Sequence, residues 1–157
     1  MLAACTSAPR ATTTTDTSAL EPNATLLEVV DGDTIDVKVD GIEERIRLIG
    51  IDTPETKKPN TPVQCFGPEA TAFTKSLLPA GTSLHVERDV EARDKYDRLL
   101  AYVYRSDDGL FVNLAIIDQG YARPLTIAPN VAYSDEFATA ARHADATHVG
   151  LWASCSG

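Results

Sequence analysis

The sequence predicts a mainly β, α+β domain: five short strands closed into a Greek-key barrel, with three helices around it. Three observations predict it. Apolar and polar residues alternate over short stretches, the period of a half-buried strand. Asp-Gly pairs punctuate those stretches as hairpin turns. A helical segment falls between the third and fourth strands, giving the order βββ–α–ββ–α–α that a five-stranded Greek-key barrel needs. A plain α+β domain shares this pattern.

The elements follow in order. Leu26 to Val30 is rich in β-formers and ends at Asp31-Gly32. Thr34 to Val39 alternates cleanly, with Ile35, Val37 and Val39 on one face and Asp36, Lys38 and Asp40 on the other. Asp40-Gly41 is a second turn. Arg45 to Ile51 reads as a third strand, Ile46 and Leu48 opposite Arg45 and Arg47, so the first three strands form a meander. Thr56 to Pro62 reads as an exposed loop. Pro68 then opens a helix in its first turn, with Glu69 near the positive end of the helix dipole. Ala70, Phe73, Thr74, Leu77 and Leu78 keep helical spacing until Pro79-Ala80-Gly81 stops it. Ser83 to Val90 is the fourth strand and Leu99 to Tyr104 the fifth, closed by Asp107-Asp108-Gly109. Val112 to Gln119 is a short helix ended by Gly120. Ser134 caps an alanine-rich helix with Asp135 and Glu136 in its first turn, running to about His148 before Gly150.

The chain's 157 residues fit one domain. Thr6 to Asn23 is almost all Ser, Thr, Pro, Ala and acids. Such a segment buries too little apolar area to offset its ordering entropy. Residues 1–24 therefore read as a disordered tether and 25–157 as the folded domain. The net charge of −9 argues against tight non-specific binding to a polyanion. It leaves catalysis open, because a divalent cation and arginines can make one cleft locally positive. Binding should then be weak and salt-sensitive. No apolar run approaches the roughly 20 residues of a membrane span.

Three segments carry chemistry: Asp31-Gly32-Asp33-Thr34, Arg47 through Glu55, and Asp94-Lys95-Tyr96-Asp97-Arg98. Singly, each has a plain reading as a turn, a strand end or solvated charges. Together they hold more. A hard cation needs several oxygen ligands. Asp33 begins the second strand and Asp52 ends the third, so in an antiparallel pair their carboxylates converge, and the Thr53 carbonyl is placed as a third ligand. Arg47, on the polar face, can clamp a phosphate bidentately. Glu55 lies near enough to orient or deprotonate a water. A cation, two guanidiniums and a base suit the hydrolysis of a phosphodiester.

In this order, the three segments resemble the staphylococcal-nuclease (thermonuclease) family, over roughly Thr25 to Trp152. Gly67-Pro68-Glu69-Ala70 and Ala72-Phe73-Thr74-Lys75 resemble that family's first helix. The resemblance implies an OB-fold barrel with three helices. It implies Ca²⁺ held by Asp33, Asp52 and the Thr53 carbonyl, Arg47 and Arg98 on the scissile phosphate, and Glu55 as general base. It implies cleavage of DNA and RNA, single strands preferred, leaving 3′-phosphate ends. Lys95 and Tyr96 match positions near the nucleotide's terminal phosphate. Asp97 departs, since a glycine is common there, and adds a negative charge beside Arg98. Thr126 and Ala128 depart where family tyrosines line the nucleotide pocket. A non-catalytic OB-fold binding module is the alternative, but here all five site side chains are present. His85, His143 and His148 show no metal-ligand spacing.

The cysteines bear on location. With no CxxC and no His/Cys cluster, the pattern is not that of a zinc site. A Cys65–Cys155 disulfide would close a long loop and tie down the tail; the other reading is two free thiols in a cytosolic protein. Leu2-Ala3-Ala4-Cys5 before a polar stretch resembles the lipobox of bacterial lipoproteins, in which the cysteine is lipidated. The basic and apolar regions of a signal peptide do not precede it, so either the true start lies upstream of Met1 or the match is chance. The expectation is a bacterial, monomeric enzyme, secreted or attached to the envelope through Cys5, with an envelope interaction lipoprotein as the competing role.

Overall fold

The structure, a computed structural model, describes residues 19–155. Cys5 and most of the expected tether lie outside the described residues. Eleven elements follow in order: β1 (Ala24–Asp31), β2 (Thr34–Val39), β3 (Ile42–Leu48), β4 (Gly50–Asp52), α1 (Gly67–Leu77), β5 (Ser83–Glu87), β6 (Leu99–Arg105), α2 (Val112–Asp118), β7 (Arg123–Leu125), α3 (Ser134–Ala146) and α4 (Leu151–Ser154). Strands β1-β2-β3-β6-β5 form a closed barrel, and β4 and β7 form a separate two-stranded sheet. This is the expected OB-like, mainly β architecture.

The meander follows from turn chemistry. β1 pairs with β2 around Asp31-Gly32, and β2 pairs antiparallel with β3 from Thr34↔Arg47 to Val39↔Ile42. The barrel closes through a parallel pair, β3 with β6, in the register Ile46↔Leu99 to Leu48↔Ala101. β1 and β5 complete the ring. Alternation sends Ile35, Val37, Ile46, Leu48, Leu84, Ala101 and Val103 inward, all fully buried. Tyr102, Phe111, Tyr133 and Phe137 stack edge-on or tilted where α2 and α3 cover β6. Before β1, Asn23 donates its side-chain amide to the Val86 carbonyl and accepts the Val86 N–H, so the chain is already bonded to β5 there. Among the described residues, no helix is long and apolar enough to cross a membrane.

Several boundaries differ from expectation. The third strand is two: β3 ends at Leu48, and β4 leaves the barrel to pair with β7. Gly50 causes the break. Its φ of +80° is left-handed, and a Cβ there would collide with the Phe137 ring. The bend is secured by buried Asn113, which donates to the Ile49 carbonyl (2.9 Å) and accepts the Val103 N–H (2.9 Å). β5 stops at Glu87 rather than Val90, and β6 extends to Arg105. Ser134 is the first helical residue of α3 and makes no side-chain cap; Tyr133 holds the cap position, and the helix ends at Ala146. The short β7 and α4 were not expected.

Candidate active site

Asp33 sits where β2 begins, and its carbonyl accepts the Leu48 N–H, which fixes the ends of β2 and β3 side by side. Its carboxylate accepts the Thr53 N–H at 2.9 Å and the Thr34 hydroxyl at 3.2 Å. Arg47 Nη2 lies 3.1 Å from Asp33 Oδ2 and 3.1 Å from Asp52 Oδ1. One guanidinium nitrogen thus bridges two carboxylates, one from the turn before β2 and one from the end of β4. Arg47 Nη1 donates to the carbonyls of Leu48 (2.6 Å) and Ile51 (3.0 Å), so the side chain is held in the bend between β3 and β4. Burial pushes the Asp33 carboxyl above its ordinary value, although Arg47 and the Thr53 N–H pull it down.

Gly32 is needed for proximity. A Cβ there would come within 2.6 Å of the Thr53 hydroxyl, so the Asp31-Gly32 turn lets the segment after β4 pack directly on it. Asp31 lies beneath. Its Oδ1 accepts the Gly32 N–H (2.8 Å) and the hydroxyls of Thr56 (2.7 Å) and Thr71 (2.9 Å). Burial raises the Asp31 carboxyl, but these donors, Thr56 foremost, outweigh it and hold its pKa below the ordinary range. Glu55 Oε1 accepts three successive backbone N–H groups, from Thr56 (3.0 Å), Lys57 (2.8 Å) and Lys58 (2.9 Å).

Arg98 enters from the turn before β6. Its Nε and Nη2 both lie 2.7 Å from Asp94 Oδ2. Asp97 has φ of +64° and places its Oδ1 3.6 Å from Arg93 Nη1. The left-handed backbone explains why glycine suits that position. The expected negative charge beside Arg98 thus comes chiefly from Asp94, and Asp97 pairs with Arg93. Tyr96 is exposed, with the Lys95 ammonium 5.0 Å and the Arg98 guanidinium 5.5 Å from its ring centre.

A cleft of about 720 Å³ brings Asp33, Arg47, Asp52, Thr53, Glu55, Tyr96 and Arg98 onto one surface, with Lys57 and Lys58 at its rim. An adjoining cavity of about 420 Å³ shares Arg47, Tyr96 and Arg98 and adds Lys95. Ile49, Ile51, Leu100, Leu125 and Ile127 give it apolar walls, and Glu91, Asp94 and Asn130 line it as well. Thr126 and Ala128 do not line it; the aliphatic Leu125 and Ile127 flanking Thr126 do. Sequence reasoning assigned no role to these two, and none to Asp94 within the segment it singled out. The usable signals were two exposed aliphatics in a polar segment and a carboxylate four residues before Arg98. Cys65 and Cys155 form a disulfide, with Cα atoms 5.9 Å apart. The histidines stay outside both cavities.

The donor set suits a hard divalent cation. Asp33 and Asp52 already share one positive group, and Thr53, beside Asp52, lines the same cleft and would supply a carbonyl. Among the described residues, no three His, Cys, Asp or Glu side chains cluster as metal ligands. A cation here would therefore complete its shell with carbonyl and water oxygens, as oxygen-loving cations do.

Residues 45–154 match the family model of staphylococcal nuclease homologues. The chain is similar to a thermonuclease of Staphylococcus intermedius, 45% identical over 124 residues that cover 79% of this chain and 72% of that one. It is 38% identical over 135 residues to a thermonuclease of Staphylococcus hyicus, covering 86% of this chain and 78% of the other. It is 41% identical over 132 residues to endonuclease YncB of Bacillus subtilis, covering 83% of this chain and 61% of the relative.

Proposed function

The chain belongs to the staphylococcal nuclease family, and we propose that this nuclease acts outside the cytosol, depends on Ca²⁺, and leaves 3′-phosphate ends on DNA and RNA. The observation that carries the reading is the convergence of Asp33, Asp52, Arg47, Glu55 and Arg98 on one cleft. Ca²⁺ held by Asp33, Asp52 and the Thr53 carbonyl would supply positive charge against the phosphorane-like transition state. The protein's own groups do the rest. The Arg47 Nη2 that bonds Asp33 and Asp52 can equally donate to a phosphoryl oxygen, and Arg98 can donate from the other side. Glu55 orients or deprotonates the attacking water. Lys95 and Tyr96 take the terminal phosphate, and the aliphatic cavity beside them takes the sugar and base. Unpaired bases reach that cavity more readily than stacked ones, which supports a preference for single strands.

The Cys65–Cys155 disulfide supports action in an oxidising compartment. We place the enzyme among secreted or envelope-held proteins, with Cys5 as the anchor point in the second case. Cleavage of single-stranded DNA and RNA, in Ca²⁺, Mg²⁺ and chelator arms with end-group analysis, tests the reading. Cleavage with Ca²⁺, loss in chelator and 3′-phosphate products are expected. Glu55→Gln should slow turnover on the order of 10²–10³-fold. Full activity in chelator, or 5′-phosphate ends, would sink the mechanism.

A further inference from the structure

We propose that Gln64 is a positioning residue for Glu55, closing the loop that carries it; the inference rests on the role proposed above for Glu55. The orientation of the Glu55 carboxylate comes from the backbone that follows it, through the N–H groups of Thr56, Lys57 and Lys58. That backbone is poorly supported by packing, since residues 57–60 are all exposed. Whatever fixes the ends of this loop therefore fixes the carboxylate.

Gln64 joins those ends twice. Its side-chain Oε1 accepts the Glu55 N–H at 2.9 Å, and its own N–H donates to the Glu55 carbonyl at 2.9 Å. The two bonds run in opposite directions across residues 55–64. Gln64 is anchored in turn. Its carbonyl accepts the Gly67 N–H at the start of α1, and the next residue, Cys65, is cross-linked to Cys155. Gly67 packs so closely that a Cβ there would come within 3.0 Å of the Glu55 carbonyl oxygen. The loop is thus pinned to a rigid helix start at one end and to the barrel through Asp31 and Thr56 at the other. The Gln64 side chain is exposed at the cleft and bonds the Glu55 N–H, so its removal should leave the fold intact and shift the carboxylate.

A displacement of about 1 Å at a catalytic group can cost about 10² in rate, whereas one exposed hydrogen bond contributes little to stability. The proposal therefore separates turnover from folding. Steady-state cleavage of a single-stranded oligonucleotide with Ca²⁺ is measured for the oxidised wild type, Glu55→Gln, Gln64→Leu, Gln64→Ala and Gln64→Glu, with thermal unfolding of each. Gln64→Leu and Gln64→Ala should lower kcat roughly 10–100-fold with KM within about twofold and Tm within about 4 °C of wild type. Gln64→Glu keeps an acceptor for the Glu55 N–H and should recover most of kcat. Wild-type kcat in both Leu and Ala variants, a loss confined to KM, or no recovery with Gln64→Glu would overturn the role of Gln64. A wild type that does not cleave, or a Glu55→Gln variant at full speed, would overturn the Glu55 reading and this inference with it. A slow Glu55→Gln beside a fast Gln64→Leu removes the inference alone.

Discussion

Arg98 points into the cleft because Asp94 holds it there. Asp94 Oδ2 takes two guanidinium donors, and Oδ1 accepts the N–H groups of Tyr96 (2.9 Å) and Arg98 (3.0 Å). Burial disfavours the Asp94 carboxylate, but the Arg98 side chain and these N–H groups outweigh burial and hold its pKa below the ordinary 3.8. A carboxyl lowered on folding contributes stability that is present above the unfolded value and lost as pH falls through the folded one. Wild type should therefore lose stability on acidification below about 3.8, and Asp94→Asn should lose less over the same range. Urea denaturation at pH 7 and pH 3 measures the difference. At pH 7 the variant should also turn over about tenfold more slowly, since Arg98 loses its orienting partner. At this scale the residue types were readable and their partners were not. Asp97, one residue from Arg98 in sequence, pairs with Arg93 instead.

At the scale of elements, the bend between β3 and β4 builds the site. It turns Asp52 out of the barrel wall and leaves Arg47 reaching back to the Leu48 and Ile51 carbonyls. A signal for it was present in the sequence. Ile46 and Leu48 are buried at period two, but Ile49 and Ile51 are buried as well, so the inward phase shifts by one residue beside Gly50. A lone glycine in a strand with such a shift marks a bend. Reading Arg45 to Ile51 as one strand missed it. Gly50→Ala places a Cβ against the Phe137 ring at a left-handed position, and should cost about 2–4 kcal/mol from backbone strain and overpacking together. Chemical denaturation reads that loss. Near-wild-type stability would mean that α3 moves aside without cost.

Across the whole molecule, the disulfide spans 90 residues and ties the loop before α1 to the tail after α4. In the loop-entropy account, Cys155→Ser should lower stability by up to about 4–5 kcal/mol. Guanidinium melts of wild type and variant, with and without reductant, test this; a wild type indifferent to reductant would contradict it. The sequence by itself determined the inward faces of the barrel strands, the turns, the helix after the Thr56–Pro62 loop, and the chemical types gathered in the cleft. These follow from period-two alternation, Asp-Gly and proline geometry, and side-chain chemistry, all properties of near neighbours in the chain. Only the tertiary structure decided that Arg47 bridges Asp33 and Asp52, that Asp94 holds Arg98, that Leu125 and Ile127 wall the second cavity, and that Gln64 clasps Glu55. The first and third depend on long-range packing: Phe137 over Gly50, Asn113 on Ile49, and β7 carried back to β4. The second and fourth depend on the path of the backbone in the turn before β6 and the loop before α1. Contacts of that kind leave no periodic trace along the chain.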